Sequence, residues 1–286
     1  MRPRKSRGQN FLVQARLAER IVAAAQLVPN NRVVEIGPGL GILSDAIARH
    51  PLARLTLIEL DPRLAAPLAA RFVADSRIIV INEDFLRTDL KALAEDRKAV
   101  TDAHEFDDRR FKVIGNLPFN AAAAILERLC ASRPLITRMV LMFQREVAER
   151  IRARPRTSQY GALSVYTALY WEVIDHFRVA AGNFHPRPKV DAEVLVFSPS
   201  ADQLFASESE EQAILTTIRA SFSTPRKTIR NSLATGLRLR LGVAEEALAR
   251  VAIEPSARPG MLAVADFVRL ARALGDAARP PDCRDA

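Results

Sequence analysis

The sequence predicts a doubly wound α/β domain followed by a small, all-helical domain. Short β-branched runs alternate with alanine- and leucine-rich stretches of helical spacing, and this order is typical of a mostly parallel sheet covered by helices. The strand patterns stop near residue 200, where helical periodicity takes over. A length of 286 residues is also sufficient for one full α/β core and a smaller second domain.

The elements of the first domain are predicted from their periodicity. A helix is expected over residues 12–27, because apolar side chains recur there every three or four positions until the Pro29-Asn30-Asn31 break. Further along the chain we expect strands at residues 32–36, 54–58, 77–81, 111–114 and 139–143, and helices at 42–49, 63–73 and 145–152. A late strand at 190–197 is expected to pair antiparallel at the sheet edge.

The segment Ser198-Pro199-Ser200-Ala201-Asp202 is the predicted linker between the two domains. We therefore place the first domain at residues 1–200, including a basic arm at 1–10, and the second at 201–286, with a frayed tail from about residue 276. Helices of the second domain are expected at residues 208–221, 224–235, 244–250 and 264–274.

The composition is that of a folded protein with a polyanionic partner. Hydrophobic residues make up 49% and charged residues 26% of the chain, which excludes an intrinsically disordered protein. The net charge of +9 and the pI near 10.2 favour a nucleic acid as partner, because each phosphate that Lys or Arg neutralises releases a condensed counterion.

Membrane segments, metal sites and disulfides are not indicated. The chain has no long uncharged apolar run, and Arg16, Glu19 and Arg20 interrupt the apolar stretch after the basic N-terminus. We therefore expect a cytoplasmic protein without membrane association. Cys130 and Cys283 form no C-x-x-C pair, and the four histidines lack the short spacing of metal ligands, so no bound metal is expected.

A glycine turn follows the first of the parallel strands. Gly37, Gly39 and Gly41 lie between a predicted strand and a predicted helix, where glycine permits close approach of a ligand and the helix start offers N–H donors. No Gly-Lys-Ser/Thr follows, so this is not a P-loop. Methyltransferases and some dinucleotide enzymes share such a turn, and a purely structural turn is the remaining alternative.

Two further strand ends carry carboxylates. Glu59 ends the second strand, where its carboxylate can accept hydrogen bonds from both ribose hydroxyls of a nucleoside. Asp61 could do the same, but its place before Pro62 favours a helix N-cap. Asp84 follows the third strand and could accept from an adenine amine. Because open α/β sheets bind ligands at the carboxyl ends of their strands, the pattern predicts a nucleoside-containing cofactor.

The fourth strand ends in Gly115-Asn116-Leu117-Pro118-Phe119. The side-chain oxygen of Asn116 and a backbone carbonyl fixed by Pro118 offer two acceptors to a planar amine, and Phe119 can stack on its base. The lone pair of the adenine amine is delocalised, so alignment and well-placed acceptors, rather than a strong base, would activate it. A capped turn with Phe119 in the core is the alternative.

These residues resemble the KsgA-type family of small-subunit ribosomal RNA adenine dimethyltransferases. The resemblance runs from about residue 5 to about residue 275 and includes four further motifs, at residues 8–12, 143–150, 160–165 and 184–191. It implies a Rossmann-like, S-adenosylmethionine-dependent methyltransferase domain and a helical rRNA-binding domain. Members of the family transfer two methyl groups to each of two adjacent adenosines in a hairpin loop near the 3′ end of small-subunit rRNA.

The resemblance also implies roles for single residues. The cofactor would contact Asn10, Leu12, Gly37, Gly39, Glu59, Asp84 and Asn116. The target adenine would contact Asn116, Leu117, Pro118 and Phe119, with Phe184 as a second stacking face. The expected partner is small-subunit rRNA or its pre-30S particle, bound by a monomer.

Two departures from the family pattern keep alternatives open. Phe119 stands where the bacterial enzymes usually carry Tyr, and the alanines at residues 121–124 replace a more polar stretch. A weakly active or inactive RNA-binding assembly factor is one alternative. A large-subunit methyltransferase of the erythromycin-resistance type is the other, although Leu117 and the long basic C-terminal domain favour the small-subunit hypothesis.

A basic patch in the second domain is the predicted RNA-backbone site. It consists of Arg226, Lys227, Arg230, Arg238 and Arg240, with no acidic residue among them. The family's basic helix start matches residues 221–233, although Pro225 is unusual there; proline is tolerated at the first helical position predicted for it. The N-terminal cations form a second cluster: Arg2, Arg4, Lys5 and Arg7.

Overall fold

The computed structural model describes residues 10–95, 110–202 and 204–275. Most of the predicted basic arm and the tail from residue 276 therefore lie outside the described residues, as do His104 and Cys283. The chain folds into two compact units. The first comprises Met1–Ala148 and Trp171–Pro199, and the second comprises Glu149–Tyr170 and Ser200–Ala286.

The first unit contains the predicted α/β sheet. Within the described residues its main sheet has seven strands: β2 (Arg32–Ile36), β3 (Arg54–Glu59), β4 (Ile78–Asn82), β5 (Phe111–Asn116), β6 (Ile136–Gln144), β7 (Trp171–Val179) and β9 (Ala192–Pro199). Their order in the sheet is β4-β3-β2-β5-β6-β9-β7. The first five run parallel to one another, and β9 is antiparallel to both of its neighbours.

Helices follow most of these strands. They are α1 (Ala15–Ala24), α2 (Ile42–Ala48), α3 (Pro62–Phe72), α4 (Leu90–Glu95), α5 (Ala122–Ala131) and α6 (Arg145–Ile151). The prediction of alternating parallel strands and helices is confirmed. The residues of β2, β3 and β5 that point to either face are almost all buried, as expected for a parallel sheet covered on both sides.

The N-terminal segment differs from the predicted helix over 12–27. Helix α1 begins only at Ala15, because Phe11 and Leu12 form a short strand, β1, that pairs antiparallel with β8 (Phe184–His185). Helical spacing of apolar residues cannot reveal such a long-range pairing. The pair brings residues 10–12 close to the sheet.

The sheet edge also differs from the prediction. The late strand does pair antiparallel, but it lies between β6 and β7, and β7 forms the edge. Strand β7 was not predicted from the sequence, because an edge strand tolerates charges on its open side. Glu172, Asp175 and His176 are exposed there, and these polar residues interrupt the apolar pattern from which a strand is predicted.

The second unit is helical, with α7 (Ala162–Tyr170), α8 (Glu208–Phe222), α9 (Ile229–Leu237), α10 (Leu241–Arg250) and α11 (Val264–Leu274). Residues 149–170, which the sequence placed in the first domain, group with this unit. The Tyr160 hydroxyl donates to the carbonyl oxygen of Leu262 at 2.9 Å, and Tyr170 packs edge-on against Phe205. The packing of these aromatic residues, rather than the end of the strand pattern, decides the grouping.

The helix expected from residue 224 begins later. Helix α9 starts at Ile229, and the Thr228 side chain accepts from the N–H of Asn231 as its N-cap. Pro225 therefore lies in the preceding turn, not at a first helical position as predicted. Among the described residues no helix is both long and apolar enough to cross a membrane.

Gly236 sets the distance between α8 and α9. A Cβ atom on Gly236 would lie 2.6 Å from the Cα of Ala220, so the two backbones approach where no side chain fits. We expect Gly236→Ala to destabilise the protein by about 1–3 kcal/mol through overpacking, despite the better helix propensity of alanine. Thermal unfolding measures this. Thr235→Ala, at an exposed neighbour, is the control, and equal melting temperatures for both variants would contradict the prediction.

Candidate active site

One open cavity lies at the carboxyl ends of the parallel strands. It encloses about 1040 Å³, including the solvent at its mouth. Of the residues predicted to contact the cofactor or the target adenine, only Phe184 does not line this cavity. The other ten do: Asn10, Leu12, Gly37, Gly39, Glu59, Asp84, Asn116, Leu117, Pro118 and Phe119. Parallel pairing explains this convergence, because it places the carboxyl ends of adjacent strands side by side.

The glycine turn forms one wall of the cavity. Gly37, Gly39 and Gly41 have φ angles of +64°, +59° and +86°, in the left-handed region that disfavours side chains. A Cβ on Gly39 would lie 2.9 Å from the Phe11 ring. The turn therefore needs glycine both for its backbone conformation and for the packing of Phe11 against it.

Glu59 connects this turn to the end of β3. Its side chain is buried, and its Oε2 accepts from the N–H of Gly39 at 3.0 Å while Oε1 accepts from the N–H of Asp61 at 2.8 Å. Asp61 itself caps α3, because its carboxylate accepts from the N–H of Arg63. The N-cap role that the sequence favoured for Asp61 is thus confirmed, and of these two residues Glu59 is the one that lines the cavity.

Asp84 lies in the turn after β4. It is half-buried, and its Oδ1 accepts from the N–H of Leu86 at 2.9 Å, which fixes the side chain at the cavity wall. Next to it, the Asn82 amide donates to the Glu59 carbonyl oxygen at 2.7 Å. The two carboxylates of Glu59 and Asp84 therefore belong to adjacent strand ends that are tied together.

The Asn116 amide is oriented by the N-terminal segment. Its Nδ2 donates to the backbone carbonyl oxygen of Asn10 at 2.9 Å, so its Oδ1 remains the acceptor end of the amide. Leu117 is buried and donates its N–H to the carbonyl oxygen of Met142 at 3.3 Å. Phe119 is only half-buried and lines the cavity, so it does not fill the core.

The alanines after Phe119 begin a helix. Ala121 precedes α5 and lines the cavity, Ala122 is buried, and Ala123 and Ala124 are exposed on the first turn. Apolar wall residues that the sequence analysis did not single out complete the cavity: Phe11, Leu40, Leu60 and Leu86. Phe11 could have been identified from its position between Asn10 and Leu12, whereas the leucines carry no distinguishing signal.

The model of the family described as "Ribosomal RNA adenine dimethylase" matches residues 1–274. The chain belongs to this family. The protein named "Ribosomal RNA small subunit methyltransferase A" from Geobacter metallireducens is 38% identical over 275 residues, covering 96% of each chain. The protein of the same name from Syntrophotalea carbinolica is also 38% identical, covering 96% of this chain and 97% of its own.

Solved structures show the same fold. The 23S rRNA methyltransferase ErmE is 26% identical, with a TM-score of 0.64 over 93% of this chain and 99% of ErmE. A dimethyladenosine transferase from Plasmodium falciparum superposes with a TM-score of 0.71 at 21% identity, over 91% of this chain and 95% of its own. This rRNA adenine dimethylase thus shares its α/β architecture with methyltransferases.

Phe184 does not take the position that was predicted for it. In this adenine dimethylase it is 4% exposed, packs in the same core cluster as Leu12, and is not among the residues that line the cavity. Its backbone pairing with Leu12 in the β1–β8 ladder turns the ring into the core. The prediction that Phe184 offers a second stacking face is therefore not supported.

The basic patch of the second unit is only partly as predicted. Arg226 and Lys227 are exposed in the turn before α9. Arg230, in contrast, forms an ion pair with Glu245 at 2.7 Å, so the fold brings an acidic residue into a group that has none in the sequence. Arg238 and Arg240 are exposed at the end of α9 and the start of α10.

A buried carboxyl group lies beneath the glycine turn. Glu35 of β2 is 1% exposed; its Oε2 accepts from the Ser44 hydroxyl of α2 at 2.7 Å, while Oε1 has no hydrogen-bond partner. Burial raises the pKa of Glu35 to about 8, against the smaller opposing effect of the Ser44 hydrogen bond. The hydrogen bond between Glu35 and Ser44 therefore joins the residues on either side of the glycine turn.

This raised pKa makes stability depend on pH. A carboxyl group whose pKa is higher in the folded chain stabilises the fold fully below its ordinary pKa of 4.5, and this contribution is lost as the pH rises towards about 8. We expect the free energy of unfolding to fall by roughly 1 kcal/mol per pH unit in this window. Glu35→Gln should flatten the dependence.

Unfolding by urea at several pH values measures the slope. Glu19→Gln, which changes an exposed carboxyl group on α1, is the control and should keep the wild-type slope. An unchanged slope in Glu35→Gln would show that Glu35 is ionised in the folded protein.

Proposed function

We propose that this chain transfers methyl groups from S-adenosylmethionine to N6 of two adjacent adenosines in a hairpin loop near the 3′ end of small-subunit rRNA. The observation that carries the proposal is the oriented Asn116 amide in a cavity that also holds the glycine turn and Glu59. Relatives named small-subunit methyltransferases at 38% identity support this target over that of ErmE, at 26%.

The cavity residues fit a nucleoside-containing methyl donor. Glu59 would accept from the ribose hydroxyls and Asp84 from the adenine amine, while Gly37 and Gly39 would admit the donor close to the backbone. Asn10 and Leu12 would close the opposite side. S-adenosylmethionine supplies an electrophilic methyl group on its sulfonium.

The chain's own residues would activate the target amine by alignment. The Oδ1 of Asn116 and the carbonyl oxygen of Leu117 would accept from the two N–H groups of the amine, which favours a tetrahedral nitrogen. These acceptors would also stabilise the positive charge that develops on the nitrogen. Phe119 would stack on the adenine and hold the base in line with the methyl group. Asn116 requires no change in protonation for this role.

The RNA would be positioned by cations outside the cavity. Arg226 and Lys227 are exposed and carry no ion pair in the described part of the chain, so they can contact phosphates without breaking internal contacts. A loop adenine suits the site because its amine must leave the base stack to react. The partner would be the precursor of the small subunit, bound in the cytoplasm by a monomer.

Methyl transfer from labelled S-adenosylmethionine to undermethylated small subunits tests the function. We expect incorporation into the 3′-terminal hairpin as dimethyladenosine. Incorporation only into large-subunit RNA would favour the erythromycin-resistance type of activity, and binding without incorporation would favour the assembly factor.

Within this experiment Asn116→Ala serves as the catalytic variant. Loss of one acceptor at the reacting nitrogen should lower kcat by about 10²–10³-fold, by analogy with other preorganised hydrogen-bonding groups, while RNA binding persists. Asn120→Ala, at an exposed residue of the same turn, is the matched control. A near-normal kcat for Asn116→Ala would refute the role of the amide.

The cations of the basic patch are expected to contribute unequally to the salt dependence of RNA binding. Arg226→Ala and Lys227→Ala should each reduce the salt dependence of RNA binding by about one unit of log–log slope. Arg230→Ala should change it less, because Glu245 already neutralises this guanidinium. Binding titrations over a range of salt concentrations measure the slopes. Equal slopes for all variants would place the backbone contacts elsewhere.

A further inference from the structure

The motif at residues 184–191 contains exposed cations that the cavity does not use. Phe184 is buried, but His185, Arg187 and Lys189 are exposed, and we refer to residues 185–190 as the 185–190 loop. Neither Arg187 nor Lys189 has an ion-pair partner among the described residues. Asp191, the nearest acidic residue in the sequence, is engaged by Arg178 at 2.8 Å.

The β1–β8 pair holds this loop beside the cavity. Phe11 pairs with His185 and Leu12 with Phe184, and the N–H of Val13 donates to the Asn183 carbonyl oxygen at 3.0 Å. Phe11 and Leu12 both line the cavity. The loop therefore begins directly at the cavity wall, and the buried ring of Phe184 anchors it to the core.

The other end of the loop is fixed by Asp191. Its Oδ1 accepts from the N–H of Ala181 at 2.9 Å, so the carboxylate joins the residues before the loop to the residue after it. This hydrogen bond and the Arg178 guanidinium hold the pKa of Asp191 below its usual range. Pro186 and Pro188 restrict the backbone between these anchors, so the loop backbone loses little freedom when a ligand binds.

We propose that the 185–190 loop binds the phosphate backbone of the RNA strand that carries the target base, through Arg187 and Lys189. This inference rests on the proposed function and adds to it an RNA contact on the catalytic unit. A base extruded into the cavity leaves its own backbone at the cavity mouth, where a prearranged pair of cations can hold it.

The strand β1 links the contact to catalysis. The carbonyl oxygen of Asn10, which orients Asn116, directly precedes β1, and β1 pairs with the start of the loop. One short strand thus aligns the acceptor for the amine and places the cations for the backbone. The loop positions the RNA and does not touch the reacting atoms.

Steady-state methylation with Arg187→Ala, Lys189→Ala and the double variant tests the proposal, with a synthetic RNA of the 3′-terminal small-subunit hairpin as substrate. We expect the double variant to raise the KM for RNA about tenfold with kcat within about twofold of wild type. Each single variant should lower the salt-dependence slope of binding by about 0.7. Calorimetric affinity for S-adenosylmethionine should not change.

The control is Arg49→Ala, which also removes one exposed cation but at the end of α2, away from the carboxyl edge of the sheet. It should keep the wild-type KM and slope. If the wild-type protein methylates the hairpin and the double variant keeps its KM and salt slope, the loop proposal is overturned while the proposed function stands. Absence of methylation of undermethylated small subunits by the wild-type protein overturns the function itself, and the binding slopes on the hairpin then decide on the loop separately.

A third result would also contradict the proposal. If the double variant is impaired on intact subunits but binds the naked hairpin normally, the loop contacts a ribosomal protein instead of RNA.

Discussion

The Glu59 carboxylate is the interaction on which the cavity depends. A buried carboxylate is costly unless hydrogen bonds satisfy it, and here the backbone N–H groups of Gly39 and Asp61 do so. The parallel register that pairs Ile36 with Ile58 brings the glycine turn opposite the end of β3. The sheet geometry, the left-handed backbone of the turn and the capped start of α3 thus all depend on contacts with the Glu59 side chain, and together they form this wall of the cavity.

The net charge of the chain does not measure its affinity for RNA, because several cations serve the fold. Arg77 donates to the carbonyl oxygens of Ala48 and His50 at the end of α2. Lys112 and Arg138 donate to carbonyl oxygens at the end of α1, and Arg32 does the same for α4. These cations lie at the amino ends of the strands, where they satisfy helix C-termini and oppose their dipoles. What matters for an RNA partner is the smaller set of cations without internal partners.

The sequence predicted those features that depend on neighbouring residues. Strands β2 to β6 were recognisable from their apolar runs, and Gly37, Glu59, Asp84 and Asn116 from their places at strand ends. Features that depend on distant contacts could not be predicted: the pairing of Phe11 with His185, the burial of Phe184, and the pairing of Arg230 with Glu245. Strand β7 was missed because its exposed charges mask its apolar side, and residues 149–170 because aromatic packing, not strand patterns, assigns them to the helical unit.

The two departures from the family pattern can be judged from their positions. Ala123 and Ala124 are exposed on the first turn of α5, where alanine favours the helix, and Ala122 is buried in its packing. None of the three supplies or removes an acceptor at the amine, for which the Asn116 side chain and the Leu117 carbonyl oxygen are proposed. Phe119 keeps the aromatic face at the cavity, and stacking requires the ring rather than a hydroxyl. The alanine run was the sequence feature that favoured an inactive assembly factor. Helix formation and packing account for Ala122, Ala123 and Ala124, whereas Ala121 precedes α5 and lines the cavity.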